Sequence, residues 1–154
     1  MDEKTIGNKK VVYYPGCFTN YYAPEVGKAA VEVLRRNGVE IVVPDEVCCG
    51  LPMMAKGNIK GAYTNMEYNA RVLSRYASEG YAIVTTCTSC DLMIKRDYPI
   101  RLESREAEIV SGNTMLITEY LLKLHEQGLL DTGFEVVPKS VFYFTPCHLS
   151  LIHI

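Results

Sequence analysis

Five cysteines define the chemistry open to this chain. Cys17 stands alone, Cys48 and Cys49 are adjacent in VCCGLP, and Cys87 and Cys90 close a C-x-x-C in TTCTSC, which together read C-x30-C-C-G-x36-C-x-x-C. A single cysteine is most often a small buried hydrophobe. A C-C-G together with a C-x-x-C in one short chain instead has the spacing of metal or redox ligation. A structural zinc and an ordinary cubane iron–sulfur cluster each take four ligands, and this set offers five. Adjacent cysteine side chains diverge, so they chelate one ion poorly but are well placed to reach two metal atoms of a cluster. Gly50 removes a side chain where the backbone turns beside them. Cys90 enters a predicted helix N-terminus, whose partial positive charge favours thiolate and an anionic cluster. Three readings stand at this point. A multi-iron cluster uses all five thiols, a four-cysteine zinc site leaves one spare, and a thiol–disulfide centre on Cys87 and Cys90 leaves Cys17, Cys48 and Cys49 without a role. The ligand count favours the cluster.

The rest of the composition narrows the setting. The 154 residues are one domain's worth of chain, 48% hydrophobic and 22% charged, as in ordinary globular domains. A formal net charge of -2 provides no electrostatic reason to expect nucleic acid as a partner. No stretch approaches the roughly 20 apolar residues of a membrane helix, and MDEKTIGNKK lacks the apolar core of a signal peptide. A cytoplasmic location is expected, and in that reducing setting cysteines serve as ligands or catalytic thiols rather than disulfides.

The elements that must position the thiols alternate between strand and helix. Lys10 to Gly16 reads as a buried strand ending at Pro-Gly, with Cys17 directly after it. The helix beginning at Pro24 places Val26, Ala30, Val33 and Leu34 on one face and ends at Gly38. Val39 to Pro44 is a second strand, and a helix from about Asn58 to Glu79 lines its inner face with Ala62, Met66, Ala70, Leu73 and Ala77. YAIVTT is the third strand, followed at once by Cys87. SCDLMIKRDYP reads as a short helix stopped before Pro99, and the charged stretch 100–112 fits no element. TMLITEYLLKLHEQG is an amphipathic helix with Leu116, Tyr120, Leu121 and Leu124 inward, and Ser140 to Pro146 a fourth strand leading to Cys147. This order predicts an α/β, three-layer, Rossmann-like domain with a mostly parallel sheet. Cys17, Cys48, Cys49, Cys87 and Cys147 then all fall just past the carboxyl ends of strands, where open parallel sheets bind ligands.

The full cysteine pattern resembles the CCG cysteine-rich domain of the heterodisulfide reductase family over nearly all of residues 10–149. The segments GCFTNYYAPEVGKA, CCGLPMMAKG and VFYFTPCHL look most like the corresponding subunit of anaerobic glycerol-3-phosphate dehydrogenases. The resemblance implies a [4Fe-4S] cluster of non-cubane form on Cys17, Cys48, Cys49, Cys87 and Cys90, with zinc as the alternative. It also implies two such domains facing each other, Cys147 being the first cysteine of a second, incomplete site. The role implied is electron relay from a flavin-containing dehydrogenase subunit towards a membrane or quinone-linked subunit, with no catalytic residue of its own. The alternatives are a heterodisulfide or thiol reductase subunit, a subunit of lactate or glycolate oxidation, and a zinc-stabilised interaction domain. Through such partners the chain would sit on the inner face of the membrane. A ferredoxin-like C-x-x-C-x-x-C run, usual ahead of this domain in the dehydrogenase subunits, does not precede Cys17.

The expected organisation is a disordered segment over 1–10, a first domain over 11–138, the start of a truncated second over 139–148, and a non-native tail over 149–154 that resembles a translated sequencing adapter. His148 is expected to support its loop, His125 to be solvated, and His153 to have no role. Tyr21 and Tyr22 follow Cys17 and are candidates to cover the cluster, where burial tunes a potential. Lys95 and Arg96 are expected on a solvated face, with docking of an acidic partner as the functional alternative.

Overall fold

A computed structural model describes residues 9–133 and 135–148. Strand β1 (Lys10–Tyr14) is flanked by β2 (Glu40–Val42) and β3 (Ala82–Thr85), and β4 (Thr114–Leu116) pairs with β3, giving the order β2-β1-β3-β4 with every pair parallel. The central pair has the register Val11↔Ala82 to Tyr14↔Thr85. The chain leaves β1 towards one edge and β3 towards the other, so the carboxyl ends of β1 and β3 form the switch point of the sheet. The expected α/β, parallel, three-layer class is the one observed.

Alternation along the strands separates the two cores. Val12, Tyr14 and Ile83 face α4 (Ile59–Ser78), α6 (Tyr98–Leu102) and α7 (Arg105–Asn113), and pack on Met66, Ala70, Leu73, Tyr98 and Val110. Val11, Tyr13 and Val84 face the opposite side, against Ala30 and Leu34 of α2 (Pro24–Arg36) and Tyr120 and Leu124 of α8 (Ile117–Glu126). The stripe expected on α2 is only half covered: Ala30 and Leu34 are buried, while Val26 and Val33 stay exposed.

Several expectations are corrected. Residues 140–146 are not a strand: they have no regular structure, and Phe142 and Phe144 are 90% and 72% exposed. A β-branched, aromatic run becomes a strand only when paired, and the place beside β3 is taken by Thr114–Leu116. Those three residues do not open a helix; Thr114 and Leu116 are buried on the strand and the helix begins at Ile117. Cys147 therefore does not follow a strand end. The helix after Cys87 also does not stop before Pro99. It runs from α5 (Thr88–Leu92) through a π-helical turn (Met93–Asp97) into α6. The Tyr98 N–H donates to the Met93 carbonyl five residues back, and Pro99 falls in the first turn of α6, where its missing N–H costs nothing. Two short helices that no sequence pattern marks, α1 (Gly16–Tyr21) and α3 (Leu51–Ala55), flank the cysteines. β1 already includes Lys10, the last residue of the expected N-terminal segment; residues 1–8 and 149–154 lie outside the described residues.

Candidate metal centre

The five cysteines arrive at the carboxyl edge of the sheet from three strands. Cys17 lies in α1 directly after β1, and Cys48-Cys49 in the loop between β2 and α3. Cys87 caps α5 with an extended backbone, and Cys90 lies inside it. The Cys48 thiol donates to Cys17 Sγ across 3.5 Å. Cys49 lies close enough to Cys48 and Cys90, and Cys90 to Cys87, for each neighbour to shift the other's ionisation. The sulfurs thus form one continuous string, Cys17–Cys48–Cys49–Cys90–Cys87. Among the described residues no group of three or more His, Cys, Asp or Glu side chains is arranged to hold a single metal ion. The arrangement is a string of pairs, not a cage.

The ends of the string are half-buried and its middle is dry: Cys49 is 2% and Cys90 4% exposed, whereas Cys17, Cys48 and Cys87 are intermediate. The neighbouring Cys48 and Cys90 side chains, joined by the Leu51 amide, pull the Cys49 thiol down to about 4 against the cost of burial. Cys87 is lowered to about 6, first by Cys90 and then, against burial, by the amides of Cys90 and Ser89 at the start of α5. Cys48 and Cys90 move the other way, because each donates to a neighbouring sulfur and is partly desolvated. Burial also pushes the Glu46 carboxyl up to about 7, although Asn20 donates to its Oε1 at 2.8 Å.

Backbone shape makes room for the sulfurs. Gly16 has a φ of 71°, and a Cβ there would stand 2.9 Å from Cys90 Sγ. Gly50, with a φ of 96°, lets the chain turn into α3 while passing 3.1 Å, measured from a virtual Cβ, from the Ala62 carbonyl.

Side chains that sequence reasoning did not single out hold the Cys-Cys loop. Asn69, fully buried on the inner face of α4, accepts from the Val47 N–H at 3.1 Å and donates to the Val47 carbonyl at 2.9 Å. Tyr14 donates to the same carbonyl at 2.6 Å, Asn65 to the Cys48 carbonyl at 3.1 Å, and Tyr98 to the Cys49 carbonyl at 3.1 Å. The signal in the sequence is Asn65 and Asn69, two amides one turn apart on a helix whose neighbouring positions Met66 and Ala70 are apolar.

Other expected residues fall as follows. Cys147 is exposed and outside the string, but His148 beside it hydrogen-bonds Ser89 of α5 through Nδ1 at 2.6 Å. Tyr21 and Tyr22 are 82% and 80% exposed, and Phe18, stacked on Tyr22, is 61% exposed. Arg96 and His125 are exposed, as expected. Lys95 is a correction, being neither on a solvated face nor free to dock a partner. Its ammonium lies 3.3 Å from Asp91, which is fully buried, and 3.0 Å from Glu119.

The chain is similar over most of its length to several curated proteins. It is 35% identical over 142 residues to a fumarate reductase (CoM/CoB) subunit of Methanothermobacter marburgensis, covering 91% of this chain and 26% of the relative. It is 28% identical over 146 residues to an anaerobic glycerol-3-phosphate dehydrogenase subunit of Escherichia coli K12, covering 92% and 36%. It is 31% identical over 147 residues to "Lactate utilization protein A" of Geobacillus thermodenitrificans, covering 92% and 58%. The chain thus spans about a quarter to a third of the first two of these relatives and just over half of the last. No solved structure matches it. The family model described as "Cysteine-rich domain", CCG, matches residues 11–95, from the first strand of the sheet to past the last cysteine of the string, and the chain belongs to that family.

Proposed function

We propose that this chain is the cluster-bearing, electron-transferring part of an oxidoreductase subunit. Cys17, Cys48, Cys49, Cys87 and Cys90 are the ligands of one iron–sulfur cluster, a [4Fe-4S] centre of non-cubane form. The observation that carries this reading is the string of five sulfurs. A tetrahedral zinc would use four of them and strand the fifth, whereas a cluster with several metal atoms can take them as a row. The relatives support it, since those named are subunits of fumarate reductase and glycerol-3-phosphate dehydrogenase and a lactate utilization protein.

When bound, such a cluster supplies a one-electron carrier. The chain's own residues hold and insulate it. Buried Cys49 and Cys90 keep water from the middle of the site, the amides of Gly50, Leu51, Ser89 and Cys90 neutralise charge on sulfur, and the half-exposed Cys17 and Cys87 ends face donors and acceptors. The partners in this reading are a flavin-containing dehydrogenase subunit as donor and a quinone-linked membrane subunit as acceptor. A second domain of the same kind begins at residue 139, with Cys147 as its first ligand. Among the described residues no helix is long and apolar enough to cross a membrane. In this reading the chain meets the membrane through its partners, on the cytoplasmic side.

The test is iron and acid-labile sulfide analysis of the full chain after anaerobic reconstitution. About four irons with matching sulfide are expected for a [4Fe-4S] centre, lost in Cys48→Ser and Cys49→Ser and kept in Cys147→Ser. Zinc without sulfide would overturn the reading. A disulfide or thiol reductase built on the same site would differ in one respect: its spectrum would change when a thiol substrate is added.

A further inference from the structure

The loop 47–49 is held from behind by an unusual concentration of side chains. Asn69 sits fully buried among Met66, Ala70 and Leu73, a position where an amide is costly unless bonded. Its Nδ2 has two protons but four acceptors in reach: the Val47 carbonyl at 2.9 Å, the Tyr98 hydroxyl at 3.2 Å, the Tyr14 hydroxyl at 3.3 Å and the Cys48 carbonyl at 3.4 Å. Tyr14 and Tyr98, themselves fully buried, pass their own protons on to the Val47 and Cys49 carbonyls. Three successive carbonyls are therefore tied to β1, α4 and α6.

A trans peptide is planar, with its C=O and N–H on opposite sides. Fixing one side fixes the other. The Cys49 carbonyl belongs to the same peptide as the Gly50 N–H, so Tyr98, which holds the carbonyl, also fixes the direction of that N–H beside the paired cysteines. Tyr98 thus fixes this peptide from its carbonyl side, and Asn69 holds Tyr98 in place.

We infer that Tyr98 and Asn69 are positioning residues that set the reduction potential of the site by fixing the Cys49–Gly50 peptide dipole beside the paired cysteines. The inference rests on the cluster reading above. Amide donors to sulfur stabilise the extra negative charge of the reduced state, so hydrogen bonds to sulfur raise a cluster's potential. Removing the Tyr98 hydroxyl frees the Cys49 carbonyl, lets the peptide tilt and turns the Gly50 N–H away from its present direction. None of these side chains touches a partner, substrate or metal in this role; each acts through the backbone.

The experiment compares Tyr98→Phe and Asn69→Leu with wild type in the full chain, reconstituted anaerobically with iron and sulfide. Midpoint potential is measured by redox titration, and hydrogen exchange of the Gly50 and Leu51 amides is measured in the iron-free chain. Expected are a more negative potential in both variants, wild-type iron content in Tyr98→Phe, and faster exchange at Gly50 while β1 and α4 stay protected. Tyr120→Phe, a buried tyrosine on the opposite face of the sheet, should leave both readouts unmoved. If Asn69→Leu does not fold, Tyr98→Phe decides alone. An unchanged potential with unchanged exchange in Tyr98→Phe overturns the inference. A wild-type chain that takes up no iron overturns the cluster reading and the claim about potential, and the exchange rates then judge the pinning of the loop by themselves.

Discussion

Gly16 and the Cys90 sulfur are so close that a single methyl group would separate them: a Cβ on Gly16 would stand 2.9 Å from Cys90 Sγ. The contact joins the first and last segments of the sulfur string through the switch point of the sheet. It also gives a sharp comparison between two glycines of nearly equal backbone angle. Gly38 has a φ of 69° and open space where its Cβ would be, whereas Gly16 has a φ of 71° and a sulfur there. Gly38→Ala should lose only the left-handed strain, about 1 kcal/mol. Gly16→Ala should lose that and displace Cys90, so that iron uptake falls well below wild type. Urea midpoints and iron content of the two variants measure this; equal iron in both would show that Cys90 does not need its present position.

The ion pair at the back of the site makes a second prediction. Lys95 is the cation beside Asp91, a fully buried carboxylate next to Cys90, and it also reaches Glu119 on α8. Removing one partner of a buried pair costs about 3–5 kcal/mol, because the remaining charge stays desolvated. Lys95→Met should therefore be strongly destabilising, and Lys95→Met with Asp91→Asn should recover much of the loss. Denaturant unfolding of the single and double variants yields the coupling energy. A coupling near zero would mean that Asp91 is stabilised chiefly by other contacts.

Much of this site could be read from residue types. C-C-G and C-x-x-C name the thiols, and the strand-then-cysteine pattern at Tyr14, Val42 and Thr85 places them on one sheet edge, because parallel βα units put all strand ends on one side. What could not be read is long-range or cooperative. Nothing local distinguishes Ser140–Pro146, which looks like a strand and is not one, from Thr114–Leu116, which looks helical and is a strand; pairing with β3 decides both. Pro99 reads as a helix stop until a π turn is known to precede it. Lys95 reads as surface charge because neither the burial of Asp91, four residues away, nor the approach of Glu119, 24 residues away, is visible in the sequence. Asn65 and Asn69 look like tolerated polar residues on a long helix, and only the folded loop above them supplies the carbonyls that explain them.

The raised carboxyl of Glu46 predicts a pH dependence of the iron-free chain. Burial lifts it from the ordinary 4.5 to about 7, so between those values the folded state holds a proton that the unfolded state has released. Stability must then fall as pH rises from about 4.5 to about 7, and level off above. Glu46→Gln, which cannot ionise, should remove this component and be the more stable protein at pH 8. Urea unfolding of both proteins from pH 4.5 to 8 measures it, the difference between them cancelling the titration of the cysteines. Parallel profiles would mean that Glu46 ionises in the fold as freely as in the unfolded chain.

Tyr98 and Tyr120 make opposite predictions for the same substitution. Both are fully buried, one on each side of the sheet. The Tyr98 hydroxyl is bonded twice, to the Cys49 carbonyl and by Asn69, whereas the Tyr120 hydroxyl has no hydrogen-bond partner among the described residues. Burial alone pushes its ionisation up to about 12. A desolvated hydroxyl with no partner costs about 1–3 kcal/mol, and a satisfied one contributes about 1 kcal/mol. Tyr120→Phe should accordingly raise stability by about 1 kcal/mol, since it removes a penalty and leaves the ring packed against Val84 and Leu34. Tyr98→Phe should lower it by about 1–2 kcal/mol, because the Cys49 carbonyl is left without its donor. Thermal and urea unfolding of the iron-free proteins check the pair. Destabilisation by Tyr120→Phe comparable to that by Tyr98→Phe would mean that the hydroxyl of Tyr120 is bonded in solution, and that the two faces of the sheet do not differ in the way their tyrosines are held.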